Sequence, residues 1–420
     1  MTPVSVGAWY RYSTPTAPRD EEGSVASELT RKHVLGHAGS IVFRAVCERF
    51  RPGRPRVAHD IPRSVEQLTT SWLTSALCGA TSRAHVVDFE LGDGSDGTTS
   101  RRAITVTYNE TGQLAGLPTD LFTKATPTIA HRLLTVPTGV ASMEALFYNT
   151  IRPGLRIAAP LGYYAACDRR SGRSMFLLED VSKTRGCTFG DSTKVYIDRS
   201  RAEDIVRVLG TLHGTFWNSA RFESDLRGIK NAETWQLEVN KLIRFRSRSM
   251  IGIDRAAHLS PAEFLRRRDD LWPAFLGSLA RHRQGPMTLL HSDVHSRNWY
   301  VDSAGRMGLY DWQCITKGHW GLDLAYALTS SLTVEDRRAW EGDLLRQYAA
   351  HLEAAGGPAL SQGELMIGYR QQIFHGLFFW LFTLGAGLLE PTMQPPEVSL
   401  ANLERMTNAV VDLEALDSFG

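Results

Sequence analysis

The stretch LLHSDVHSRNWYVD, Leu289 to Asp302, sets two histidines, two aspartates and an asparagine between bulky apolar residues. A metal site, a catalytic loop and a plain polar turn are all open readings. Within it runs the pattern H-x-D-x-x-x-x-N, formed by His291, Asp293 and Asn298. Thirteen residues past the asparagine comes Asp311, in LYDWQ, after an apolar strand-like approach.

That spacing has chemical content. Phosphoryl transfer needs an acceptor for the substrate hydroxyl's proton and oxygen ligands for magnesium bridging the phosphates. An aspartate and an asparagine five positions apart on one loop can serve as base and metal ligand, and a second aspartate after the next hairpin can complete the metal site. Asp-x4-Asn is also the spacing within the protein-kinase catalytic loop. Against this stands the bland reading, in which Asp and Asn merely cap backbone groups in a turn.

The bulk numbers frame the choice. A chain of 420 residues exceeds one ordinary core, so two lobes are expected, and a composition of 43% hydrophobic and 22% charged residues is that of a globular protein. A net charge of +2 argues against a nucleic-acid partner. From Leu322 to Gly420 there are 13 acidic and 5 basic residues, a local −8. Five scattered cysteines without C-x-x-C suit reduced thiols, and the amino-terminal residues lack the basic start and apolar core of a signal peptide, so a cytoplasmic location is expected. The apolar run Ile373 to Leu389 is at the lower edge of spanning length and holds His375 and three glycines, so it reads as a buried helix and no membrane partner is expected.

Along the chain, residues 1–60 read as an extension with a helix over Ala38 to Phe50. IPRSVEQLTTSWLTSAL follows as a helix capped by Ser64. AHVVDFEL, RRAITVTYN and TDLFTKATP read as strands separated by the turns GDGSDGTTS and ETGQLAGLP. A helix is expected after Pro137, then two more strands in IAAPLGYYAACD and SMFLLEDV. Helical patterns dominate beyond Arg199. The expected fold is α+β and bilobal: an extension over 1–60, a small β-rich lobe with one helix over 61–182, and a large mainly helical lobe over 183–420.

Three further signals sit in the β-rich block. GDGSDG places Gly92, Gly94 and Gly97 in a G-x-G-x-x-G between two strands, a context for a loop over phosphates, although hairpins are commonly glycine-rich. Lys124 lies inside an apolar strand, and Glu144 on the following helix is its candidate partner, the pair then anchoring α- and β-phosphates. LLED, Leu177 to Asp180, closes the lobe where an adenine would meet connecting backbone. Glycine loop, strand lysine, helix glutamate, catalytic loop and metal aspartate thus occur in kinase order. A metal cluster of His291, Asp293 and His295 uses none of the upstream elements.

HSDVHSRNW is similar to the H-G-D-x-H-x-x-N loop of the aminoglycoside phosphotransferase and choline kinase superfamily, in particular its ecdysteroid-kinase-like (CHK kinase-like) branch. LYDWQCITKGHWGLDLAY resembles that family's I-D-W-Q…G…D-L-A-Y segment, LGTLHGTFW its helix L-x-x-L-H-x-x-F-W, and FLLEDVSKTRGCTFGD its connecting strand and loop. The likeness spans roughly residues 60–390. It implies a protein-kinase-like fold and ATP- and Mg2+-dependent phosphorylation of a small-molecule hydroxyl. Asp293 would be the base, Asn298 and Asp311 the metal ligands, Lys124 with Glu144 the phosphate anchor, and the backbone of Glu179 to Val181 the adenine contact. Asp323 would brace the loop from a helix start, and His295 would be structural. Ser292 stands where glycine is usual, and serine there adds strain if the position needs an unusual backbone angle. The acceptor reads as a bulky apolar alcohol, since part of the run Phe374, Phe378, Phe379, Trp380, Phe382 can line a pocket. An aminoglycoside acceptor and a non-catalytic nucleotide-binding scaffold are the alternatives. The basic block 241–255 reads as a solvated helix.

Overall fold

The computed structural model describes residues 39–45, 47–48, 53–79, 81, 83–96, 99–191, 193–387 and 393–419. The expectations for residues 1–38 and for Gly97 lie outside these. The described residues within 38–50 are helical. The chain divides into two compact units, Met1–Pro137 with Tyr163–Leu178 and Thr138–Gly162 with Glu179–Gly420. Sheet dominates the first and helix the second, which is the α+β, kinase-like architecture.

The sheet of the first unit has five strands: β1 (Val86–Asp96), β2 (Ser100–Tyr108), β3 (Asp120–Ala125), β4 (Gly162–Asp168) and β5 (Arg173–Glu179). Their order is β1-β2-β3-β5-β4. Alternating β-branched and aromatic residues put Val86, Ile104, Val106, Tyr108, Leu121, Met175 and Leu177 on a buried side. Helix α1 (Thr70–Leu77) adds Trp72 and Leu73 to that core. The Trp72 indole meets Tyr164 edge-on at 5.0 Å and donates to the Asp60 carbonyl at 2.9 Å.

Local readings are corrected at several places. Ser64 precedes only a three-residue 3-10 turn, Val65–Gln67, and makes no side-chain cap; the helix starts later, where the Thr69 hydroxyl accepts from Trp72 N–H. A strong cap near an apolar run is visible in sequence, but two hydroxyls compete and packing picks one. GDGSDGTTS is mostly strand, because β1 continues to Asp96 across a register shift between Leu91 and Gly94. ETGQLAGLP holds a short helix, Glu110–Leu114, capped by the Asn109 side chain. Helix also precedes Pro137: α2 (Ile129–Thr138) contains it, and Gly139 at φ 74° separates α2 from α3 (Val140–Leu146). Residues Ile157 to Pro160 stay outside β4.

In the second unit α4 (Arg199–Thr215) lies against α7 (Val334–Ala354), and α5 (Phe245–Ala256) against α8 (Phe374–Leu384). The block 241–255 is therefore not a wholly solvated helix. It breaks at Ile243, and α5 buries Phe245, Ser249, Gly252 and Ile253. A Cβ on Gly252 would stand 2.0 Å from the Leu381 carbonyl oxygen, so the two backbones meet only through glycine. Helices α6 (Gly321–Ser331) and α9 (Pro396–Asp412) complete this core with α8. Among the described residues no helix is long and apolar enough to cross a membrane.

Candidate active site

The loop begins at the end of β6 (Thr288–Leu290) and ends in β7 (Trp299–Val301), which pairs with β8 (Met307–Leu309). The Tyr310 N–H donates to the Asn298 carbonyl at 2.9 Å. That bond closes the hairpin at the end where Asn298 and Asp311 sit, so residues thirteen apart in sequence flank one site.

Within the loop, Asn298 Nδ2 donates to the Asp293 carbonyl at 2.7 Å and to Asp293 Oδ2 at 3.1 Å. With both amide protons committed to Asp293, Asn298 offers only its Oδ1 elsewhere. The Asp293 side chain keeps 28% exposure, whereas His295 beside it is buried, its Nε2 3.4 Å from Asp293 Oδ1. His295 Nδ1 accepts from the Arg297 N–H. His291 is spent on the backbone: Nδ1 accepts from Asp293 N–H and Nε2 donates to the Tyr310 carbonyl at 3.0 Å. Burial lowers its pKa despite Asp323 and Asp293, so it is neutral. With both nitrogens engaged, His291 is not a ligand of a His-Asp-His metal cluster.

Two residues take left-handed backbone here, Ser292 at φ 66° and Asp311 at φ 65°. Such angles in residues with a Cβ are uncommon and concentrate at functional sites. Asp323, in the first turn of α6 and fully buried, braces the strained loop by accepting from His291 N–H at 2.7 Å and Ser292 N–H at 2.8 Å. Behind it stands His213 of α4, with Nε2 3.3 Å from Asp323 Oδ2 and Nδ1 2.8 Å from the Tyr348 hydroxyl. The bracing role of Asp323 was legible; His213 and Tyr348 as its supports were not, although the L-x-x-L-H pattern pointed at the helix.

The second unit brings Glu144 towards the same end. Phe147 stacks on Trp312 at 3.9 Å, and burial raises the Tyr148 hydroxyl's pKa well above its usual value, with Glu144 and then Asp311 adding to the effect. Tyr326, three residues after Asp323 on α6, is a neighbour the sequence reading missed. Burial raises its pKa first, and the Asp293 carboxylate raises it further. Trp380 of α8 meets the His295 ring edge-on at 5.5 Å. Phe374, Phe378, Trp380 and Phe382 are all buried.

Glu179 closes β5. Burial opposes its charge, but hydrogen bonds from Arg185, the Leu161 amide and Thr184 hold its carboxyl below the usual range. Its own N–H donates to the Leu161 carbonyl, so an adenine contact here would use the Glu179 carbonyl and the Val181 amide. The Asp180 side chain caps the short helix Val181–Thr184.

In the first unit Lys124 is buried on β3, opposite Arg101 of β2. Gly92 and Gly94 lie on β1 next to its register shift. A Cβ at Gly94 would come within 2.6 Å of the Arg101 carbonyl oxygen, so close strand approach already requires glycine there.

A model of the phosphotransferase enzyme family (APH) matches residues 159–358, slightly under half of the chain. Solved structures similar to the chain include a putative aminoglycoside phosphotransferase from Ralstonia eutropha (14% identity, 83% of this chain and 97% of that one, TM-score 0.47). Choline kinases from Cryptosporidium parvum (12%, 78% and 91%, 0.49) and Streptococcus pneumoniae (16%, 78% and 94%, 0.39) are others. Among curated protein sequences none matches the chain. At these identities the structures carry no function across, and the fold stands on the chain's own elements. The family match encloses Asp293, Asn298, Asp311 and Asp323, and on that footing the chain is an enzyme of the phosphotransferase class, a small-molecule kinase.

Proposed function

We propose that the chain transfers the γ-phosphoryl group of ATP, with Mg2+, to a hydroxyl of a bulky apolar alcohol. The observation that carries this reading is the double donation from Asn298 Nδ2 to Asp293. It fixes the carboxylate of the base and leaves an amide oxygen for a cation. Asn298 Oδ1 and the Asp311 carboxylate form an all-oxygen donor set that fits magnesium, which would neutralise phosphate charge when bound.

Asp293 accepts the acceptor's hydroxyl proton at its partly exposed carboxylate, while Asn298 and His295 hold that carboxylate in place. Asp323 keeps the preceding backbone in its turn. By the likeness of the motifs, Lys124 and Glu144 are the proposed phosphate anchors, the glycines of GDGSDG the proposed phosphate loop, and the backbone of Glu179 to Val181 the proposed adenine contact. The aromatic rings at the loop, Tyr326 beside Asp293 and Trp380 against His295, favour an apolar acceptor over a polycationic one.

A thermal-shift screen with Mg·ATP and a panel of alcohols, followed by mass spectrometry for a gain of one phosphate, tests the proposal. Stabilisation by Mg·ATP and a phosphorylated apolar alcohol are expected. No shift with any nucleotide would overturn it.

A further inference from the structure

Ser292 stands at φ 66°, where glycine is at ease and serine is strained. Three bonds hold it there. Its N–H donates to Asp323 Oδ1 at 2.8 Å, its hydroxyl shares a 2.6 Å bond with Thr316 Oγ1, and its carbonyl accepts from His375 Nε2 at 3.1 Å. The third bond comes from the mostly apolar helix α8, 83 positions along the chain.

His375 is committed to this contact. A carbonyl can only accept, so Nε2 carries the ring proton and Nδ1 is bare. Nδ1 is buried and has no hydrogen-bond partner. Burial lowers the ring's pKa, which keeps it neutral. Tyr326 at 6.0 Å and Phe379 at 4.8 Å flank the ring. A buried imidazole with a single bond is costly, and the Ser292 carbonyl is what that bond serves.

We propose that His375 is a positioning residue: its Nε2–H clamps the Ser292 carbonyl and holds the residue before Asp293 in the left-handed turn that aims the Asp293 carboxylate. The clamp substitutes for the backbone freedom a glycine would bring to that position. Its effect on turnover rests on Asp293 being the base; the clamp itself does not.

A double-mutant cycle tests it, using H375F, S292G and the double variant. The readouts are urea unfolding, basal hydrolysis of Mg·ATP, and the φ angle of residue 292 in crystals. H375F should lower basal hydrolysis about tenfold, the worth of one well-placed hydrogen bond. S292G in the H375F background should recover most of that loss and of the lost stability, because glycine needs no clamp. H375Q, which restores a donor at similar reach, should behave more like the parent than H375F does. If the effects of S292G and H375F simply add, the clamp is wrong and His375 only fills space. Nitrogen NMR on the unmodified protein decides even if H375F does not fold: a proton on Nε2 supports the clamp, and a proton on Nδ1 overturns it. Coupling in stability without any Mg·ATP hydrolysis would support the clamp while counting against the proposed function.

Discussion

Asn298 donates through one side-chain nitrogen to both the carbonyl and the carboxylate of Asp293. The asparagine thereby orients the aspartate, and both protons of its amide are committed to that one residue.

Replacing Asp293 with asparagine keeps the shape of the side chain and removes its basicity. Turnover should fall roughly 100- to 10,000-fold, the usual range for a lost general base, with the melting temperature unchanged. Phosphate transfer at the parent rate would remove Asp293 from its role.

Asp311→Ala takes away one of the two oxygen donors proposed for the cation. Mg·ATP should bind at least about tenfold more weakly, a difference of about 1.4 kcal/mol, while nucleotide without magnesium is little affected. Isothermal calorimetry with and without the cation separates the two, and equal losses in both would contradict a metal-binding role.

Asp323→Ala should be the most destabilising of these changes. It strands the His291 and Ser292 amides and His213, all buried around it. Unsatisfied buried groups of this kind cost about 3 kcal/mol together. Urea unfolding should show that loss, and activity should fall with it; a variant as stable as the parent would show that the loop does not depend on this brace.

Acid should loosen the second unit before carboxylates protonate. His282, His291, His319 and His375 are buried with pKa values pushed down by burial, His319 to about 4. Unfolding returns them to about 6.5. Below that value the unfolded chain binds protons that the folded chain refuses, so stability is flat above about pH 6.5 and falls as pH drops towards the folded values. For His319 the window runs from 6.5 to about 4, and by pH 5 it alone should cost roughly 2 kcal/mol. Urea midpoints at pH 7.5, 6 and 5 measure it; identical midpoints would show that these imidazoles stay solvated.

Much of the site was legible along the chain because its members are local. Asp293 and Asn298 share one loop, and Asp311 follows one hairpin later, so spacing alone proposed them as partners. Ser292 was readable as a position of strain, and its left-handed φ bears that out. Tyr326 was harder to see: it follows Asp323 by three residues on α6, but only the packing of that helix turns both towards the loop. Turn chemistry misled where two short-range solutions compete, as with Ser64 and Thr69, or where strand pairing extends through glycines that look like a turn.

From its residues alone the chain determines a polar loop that sets two carboxylates and an amide within one hairpin's reach, a β-rich segment before it and helices after it. Tertiary structure decided what holds the loop in place. Asp323 draws on His213, 110 positions away, and Ser292 on His375, 83 positions away. Hydrogen bonds along a strand or turn follow from local spacing. Those between packed helices depend on which apolar faces meet, and that is settled only when the whole core forms.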